Sequence, residues 1–142
     1  MKYLVDANVL SEPTKQAPDR NALAWLEAHE GELVVDSIVL GELCVGVLAL
    51  PAGRRRTRLE QWFATLVETI DCVPWDAAVA RRWAALVVEL RKKGRTMPLL
   101  DGMIAATALA HGMTVATRNT RDFAKAGVGV VDPFLRGSMT RG

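Results

Sequence analysis

Apolar residues in this chain fall into short runs that alternate with longer segments of helical spacing, from the first residues to the last. Five runs predict strands: Tyr3-Leu4-Val5, Leu33 to Asp36, Ile70 to Val73, Thr114 to Thr117 and Val128 to Asp132. The helical segments lie between them. Asp19 to Ala28 has Leu23 and Leu26 at helical spacing with Trp25 as its anchor, after a polar, Pro-containing loop at Ser11 to Gln16. Ser37 is placed to cap Ile38 to Leu50, a helix apolar nearly all round and therefore expected to be largely buried. Pro51-Ala52-Gly53 ends it, and the next helix runs from Arg54 through Leu59, Trp62, Phe63 and Leu66. Asp76 caps a long amphipathic helix to Leu90, with Trp83 on its buried side, basic residues in its last turn and Gly94 as a C′ residue. Pro98 opens a further helix with Leu100, Ile104, Thr107, Ala108 and His111 in register, which Gly112 stops. A short helix, Phe123 to Ala126, is capped by Asp122. This alternation is that of an α/β fold, a mainly parallel sheet flanked by helices on both faces.

The 142 residues predict a single domain, 1–142, with a loosely ordered tail from about residue 136. Half of the residues are hydrophobic and 24% charged, which argues against disorder and against a disulfide scaffold. With 18 basic and 16 acidic residues the net charge is only +2, so any nucleic-acid footprint is local. Cys44 and Cys72 lack metal-ligand spacing and read as buried, reduced thiols. The first apolar run is too short for a signal peptide and none is long enough to span a bilayer, so a cytoplasmic location without membrane contact is expected.

Three acids stand out against this pattern. Asp6 follows the first strand abruptly, where a parallel sheet delivers a carboxylate to its edge; the competing reading is an ordinary Asp turn. Glu42 is the only charge in an apolar helix and there needs a cation, a hydrogen-bond network or a raised pKa, unless it points out beside Gly46. Asp101 lies in the first turn of an Ala-rich helix, where the helix dipole alone accounts for an acid. All three are expected at the carboxyl edge of the sheet, where the fourth strand also brings Asn119 and Asp122. Oxygen donors select hard cations, so Mg²⁺ or Mn²⁺ is implied. Such ions activate water for in-line attack on a phosphodiester without a nucleophilic side chain. His29 and His111 are the only imidazoles, and no P-loop, GxGxxG or G-x-S-x-G is present. Arg54, Arg55, Arg56 and Arg58 crowd a helix start against the macrodipole, which suits a phosphate or an acidic partner, although a solvated charged face is the commoner reason for such a run.

With those residues in view, LVDANVLSE (Leu4 to Glu12), SIVLGEL (Ser37 to Leu43) and DGMIAATALAHGMTVATRNTRDF (from Asp101) resemble the PIN-domain ribonucleases, specifically VapC toxins of the FitB-like branch. The resemblance covers almost the whole chain. It implies a PIN-like three-layer fold, a Mg²⁺-dependent endoribonuclease, a toxin homodimer and a cognate VapB-like antitoxin that occludes the site. Family acids map onto Asp6, Glu42 and Asp101, while the fourth family acid is replaced here by Asn119, with Asp122 as a substitute one turn on. Asn8 and Thr117 match positions that support the site by hydrogen bonding. A haloacid-dehalogenase phosphatase would need a second Asp where Asn8 stands. A PIN-fold binding or regulatory module with weak or no activity is the alternative that Asn119 keeps open.

Overall fold

A computed structural model describes residues 1–136, so the tail expected to be loose beyond that point lies outside the described residues. The element order is β1 (Tyr3–Val5), α1 (Ala7–Leu10), α2 (Arg20–Ala28), β2 (Leu33–Asp36), α3 (Ser37–Leu48), α4 (Arg54–Thr69), β3 (Asp71–Val73), α5 (Ala77–Lys92), α6 (Leu99–His111), β4 (Thr114–Ala116), α7 (Thr120–Ala124) and β5 (Val130–Val131). Single 3₁₀ turns at Glu12–Thr14 and Glu30–Glu32 complete the connections. Helices flank a five-stranded sheet of order β3-β2-β1-β4-β5 in which every pair is parallel.

That order positions the site. The chain winds outward from β1 through β2 to β3, then returns to the other side of β1 for β4 and β5. Neighbouring connections therefore diverge between β1 and β4 and leave a crevice at their carboxyl ends, as open parallel sheets do. The central strands are mostly apolar because both faces are covered: Leu4, Val5, Val35, Val115 and Ala116 are completely buried. Trp25 anchors α2 as expected, buried between Tyr3 and His29, whose ring stacks on it at 4.3 Å. Gly112 ends α6 in the left-handed conformation, φ +64°, where a Cβ would be strained.

Several local expectations are corrected. α3 is buried on one face only, at Val39, Leu43 and Val47, while Val45 and Leu48 are 68% and 54% exposed. Positions four apart line up on the sheet, Ile38 and Leu40 pack against the core from its flanks, and Val45 and Leu48 are left on the outer face. Its N-cap is Asp36 rather than Ser37, because the Asp36 carboxylate reaches the Val39 N–H at 2.9 Å. Ser37 Oγ instead accepts from the Trp75 N–H at 3.2 Å. Cys72 is exposed on the edge strand β3 and Cys44 half-buried, so both are free but neither is a core thiol. The last helix begins at Thr120, three residues early, with Asn119 at its N-cap position; Asp122 lies inside its first turn.

Candidate active site

Each carboxylate at the crevice is delivered by the end of a strand or the start of a helix. Asp6, directly after β1, caps α1 through Oδ1, which accepts the Ala7 N–H at 2.8 Å. Its Oδ2 accepts from Thr117 Oγ1 at 2.7 Å and from Asn8 Nδ2 at 3.2 Å. Thr117 follows β4 and is fully buried; its hydroxyl also accepts the Asn119 N–H at 2.9 Å. Asn8 Oδ1 takes the Arg118 N–H at 3.1 Å. The loops after β1 and β4 are thus stitched together around Asp6 by Asn8 and Thr117.

Glu42 and Asp101 arrive from helices. Glu42 is half-buried in the second turn of α3, and its Oε1 is buried without a hydrogen-bond partner. Burial, then the charges of Asp6, Asp101 and Asp36, push its carboxyl up to about 7. Its buried Oε1 is not that of a side chain pointing freely out at the helix surface. Asp101 is the third residue of α6 and accepts at Oδ2 from Asn119 Nδ2 at 2.8 Å. Burial and the nearby Asp6 raise its pKa. Asp6 is raised as well, chiefly by burial, against the opposing hydrogen bonds from Thr117, Ala7 and Asn8.

Asn119 joins two carboxylates. The same Nδ2 donates to Asp122 Oδ2 at 2.9 Å, and Asp122 Oδ1 meets Lys125 Nζ at 3.1 Å. The Asn119 amide and then Lys125 hold the Asp122 carboxyl below its usual range. Asp122 is drawn to the edge of the site instead of capping a helix, because a first-turn side chain three residues after Asn119 shares its face.

The sequence reading missed Asp36. It ends β2, is completely buried, caps α3 and accepts from Thr107 Oγ1 on α6 at 2.7 Å. Burial raises its pKa, opposed by those bonds, and Asp6 adds to the rise. The signal was an apolar run ending in Asp just before a helix, the same pattern that marked Asp6.

The four arginines at the start of α4 divide. Arg55 lines a cavity of about 390 Å³ that also holds Asn8, Lys15 and Glu42. With Arg58, Lys15 and Trp62 it lines an adjoining cavity of about 590 Å³. Arg56 turns back onto Leu50 O and Glu60, and Arg54 is exposed and lines neither cavity. Lys15, unnoticed in the sequence, is held there by the buried Glu12 carboxylate at 2.9 Å.

The donor set suits a hard divalent cation: oxygen ligands only, like charges raising one another's pKa, and an orphaned buried Glu42 oxygen. Among the described residues no three acidic, His or Cys side chains already close around one point, since Asp6 and Asp101 each direct an oxygen at Thr117 or Asn119. The fit is one of donor chemistry and charge.

Residues 3–129 match the PIN domain as a family. The chain belongs to the PIN-domain family. This PIN domain is 40% identical over 137 residues to VapC ribonuclease Y4jK of Sinorhizobium fredii, covering 92% of this chain and 96% of that protein. It is 37% identical to Toxin FitB of Neisseria gonorrhoeae, covering 92% and 97%. In three dimensions it superposes on a chain from the structure of FitAB bound to an IR36 DNA fragment with a TM-score of 0.84 and 34% identity, covering 94% of this chain and 96% of the other. VapC-type PIN nucleases are in general dependent on divalent metal.

Proposed function

We propose that this PIN domain is the toxin of a toxin–antitoxin pair and hydrolyses RNA phosphodiesters at the centre formed by Asp6, Glu42 and Asp101, with Mg²⁺ or Mn²⁺. The observation that carries the reading is Glu42, a buried carboxylate oxygen with no partner, flanked by acids from two other elements. Asp6, Glu42 and Asp101 would hold the ion. When bound, it supplies a water of lowered pKa and stabilises charge developing on the phosphate. Thr117 and Asn8 fix the Asp6 carboxylate. Asn119 fixes Asp101, and Asp122 is tied back through it. Neither histidine is offered as acid or base: His29 is buried against Trp25, and His111 lies ten residues along α6 from Asp101, about 15 Å at helical rise.

RNA enters this reading through the cavity shared by Glu42 and Arg55, with Arg58 and Lys15 beyond it as phosphate contacts. Those cations equally suit an acidic antitoxin segment that occludes the site, and FitAB is itself a complex whose toxin resembles this chain. The exposed Val45 and Leu48 on α3 support a homodimer, since a lone helix rarely leaves such residues unpartnered. One core cluster reaching from Tyr3 to Phe134 supports a single domain. Two free thiols suit a reducing compartment, and no helix among the described residues is long and apolar enough to cross a membrane, so we place the protein in the cytoplasm.

A second reading, a PIN-fold binding module of weak or no activity, is favoured by one observation: the fourth acid position holds an amide already committed to two carboxylates. Incubation of single-stranded RNA with the purified chain, with Mg²⁺ or with a chelator, separates the two. Cleavage that the chelator stops supports the nuclease; none at any metal concentration supports the module.

A further inference from the structure

Two helices carry the acids that no strand delivers, and one hydrogen bond joins them. Glu42 rides on α3 and Asp101 on α6. Asp36 caps α3, with Oδ1 on the Val39 N–H at 2.9 Å, and spends its other oxygen on the hydroxyl of Thr107, in the middle of α6, at 2.7 Å. Both residues are completely buried.

A carboxylate in that position is costly. α3 could be capped by Ser, Thr or Asn without burying a charge. A serine side chain in place of Asp36 would satisfy the cap and be too short to span to α6. Valine is the isosteric apolar choice at Thr107, within a helix whose neighbours Ile104, Ala105, Ala106 and Ala108 are all buried and apolar. The pair is thus more than the cap or the core needs.

Asp36 does not substitute for the missing fourth acid as a ligand, because, unlike Asp6, Glu42 and Asp101, it has no exposed surface. We propose that Asp36 and Thr107 form a positioning strut that fixes α3 against α6 and thereby sets the separation of the Glu42 and Asp101 carboxylates. Its role in metal binding rests on the reading of Asp6, Glu42 and Asp101 as a metal centre; its role in joining the helices does not. Partners of metal ligands commonly act in this way, and their loss weakens metal affinity by about 10- to 100-fold.

The test uses Thr107→Val, Thr107→Ser and Asp36→Ser in the full chain. Valine keeps the shape and removes the hydroxyl, Ser at 107 restores it, and Ser at 36 keeps a cap without the reach. Two readouts are taken below the melting point of every variant: amide hydrogen exchange across the first turns of α3 and α6 in metal-free protein, and Mn²⁺ affinity by calorimetry. The strut predicts faster exchange on both helices and Mn²⁺ affinity weakened by about 10- to 100-fold in Thr107→Val and Asp36→Ser, with Thr107→Ser close to the parent. Exchange unchanged on α6 in Asp36→Ser, or Mn²⁺ affinity unchanged while only the melting temperature falls, overturns the proposal and leaves a cap and a core hydroxyl. If the parent itself binds no Mn²⁺, the metal reading fails instead, and exchange alone decides the strut.

Discussion

Asn119 Nδ2 lies 2.8 Å from Asp101 Oδ2, so the residue in the fourth acid position is a hydrogen-bond donor to an acid of the site. Asn119→Asp exchanges that donor for a charge beside Asp101 and Asp122. Metal-free protein should melt lower by a few degrees, because three carboxylates then repel, while Mn²⁺ affinity should rise about tenfold with the added ligand charge. Calorimetry and thermal melting check the pair of signs; a rise in metal-free stability would mean that the amide contributes nothing at Asp101.

Asp122 is tied to Asn119 and Lys125 rather than aimed into the cluster. Asp122→Asn should therefore reduce RNA cleavage by less than about tenfold, the lower end of what removal of a supporting partner costs. A loss as large as that of Asp101→Asn would make Asp122 a ligand.

The pH dependence follows from Glu42, whose carboxyl is pushed up to about 7 from an ordinary 4.5. The folded chain holds this proton more tightly than the unfolded chain, so without metal the contribution of Glu42 to stability is greatest below about 4.5 and is lost as pH rises through 7. Mn²⁺ affinity should rise across the same interval, as the ion competes with that proton. Glu42→Gln should flatten both dependences near pH 7. It should raise the metal-free melting temperature at pH 8 by about 2–4 °C, equivalent to about 1 kcal/mol after discounting for the solvent exposure of the carboxylate.

What could be read from the sequence depended on what sat next to each residue. Asp6, Glu42 and Asp101 were legible because each interrupts an apolar pattern, and the parallel order of strands because five short runs alternate with helices. Asp36 was not, since Ser37 beside it offered an equally good cap and concealed a residue with a second bond, to Thr107, 71 positions away. Lys15 was hidden in a polar loop, because only the buried Glu12 shows where its ammonium is held. The exposed face of α3 was misjudged for a related reason: Val45 and Leu48 are apolar like the buried Val39, Leu43 and Val47, and in a helix apolar nearly all round the spacing does not single out the buried face.

The basic groove can be tested residue by residue. Arg55→Glu, Arg58→Glu and Lys15→Glu should each weaken single-stranded RNA binding, and every phosphate interaction removed should lower the slope of log affinity against log salt by about 0.7. Arg56, engaged with Leu50 O and Glu60, should show no such change in slope. Equal effects at all four positions would point to a diffuse field instead of a groove.

The central claim is that Asp6, Glu42 and Asp101 together make a metal-dependent RNA-cleaving centre. Single-turnover cleavage of a single-stranded RNA at pH 8 with saturating Mg²⁺, by the parent and by Asp101→Asn, tests it most directly. The account predicts cleavage by the parent, abolished by chelator, and a loss of at least about 100-fold in Asp101→Asn with the fold retained. Cleavage by Asp101→Asn at the parental rate, or cleavage by the parent that persists in chelator, would contradict it.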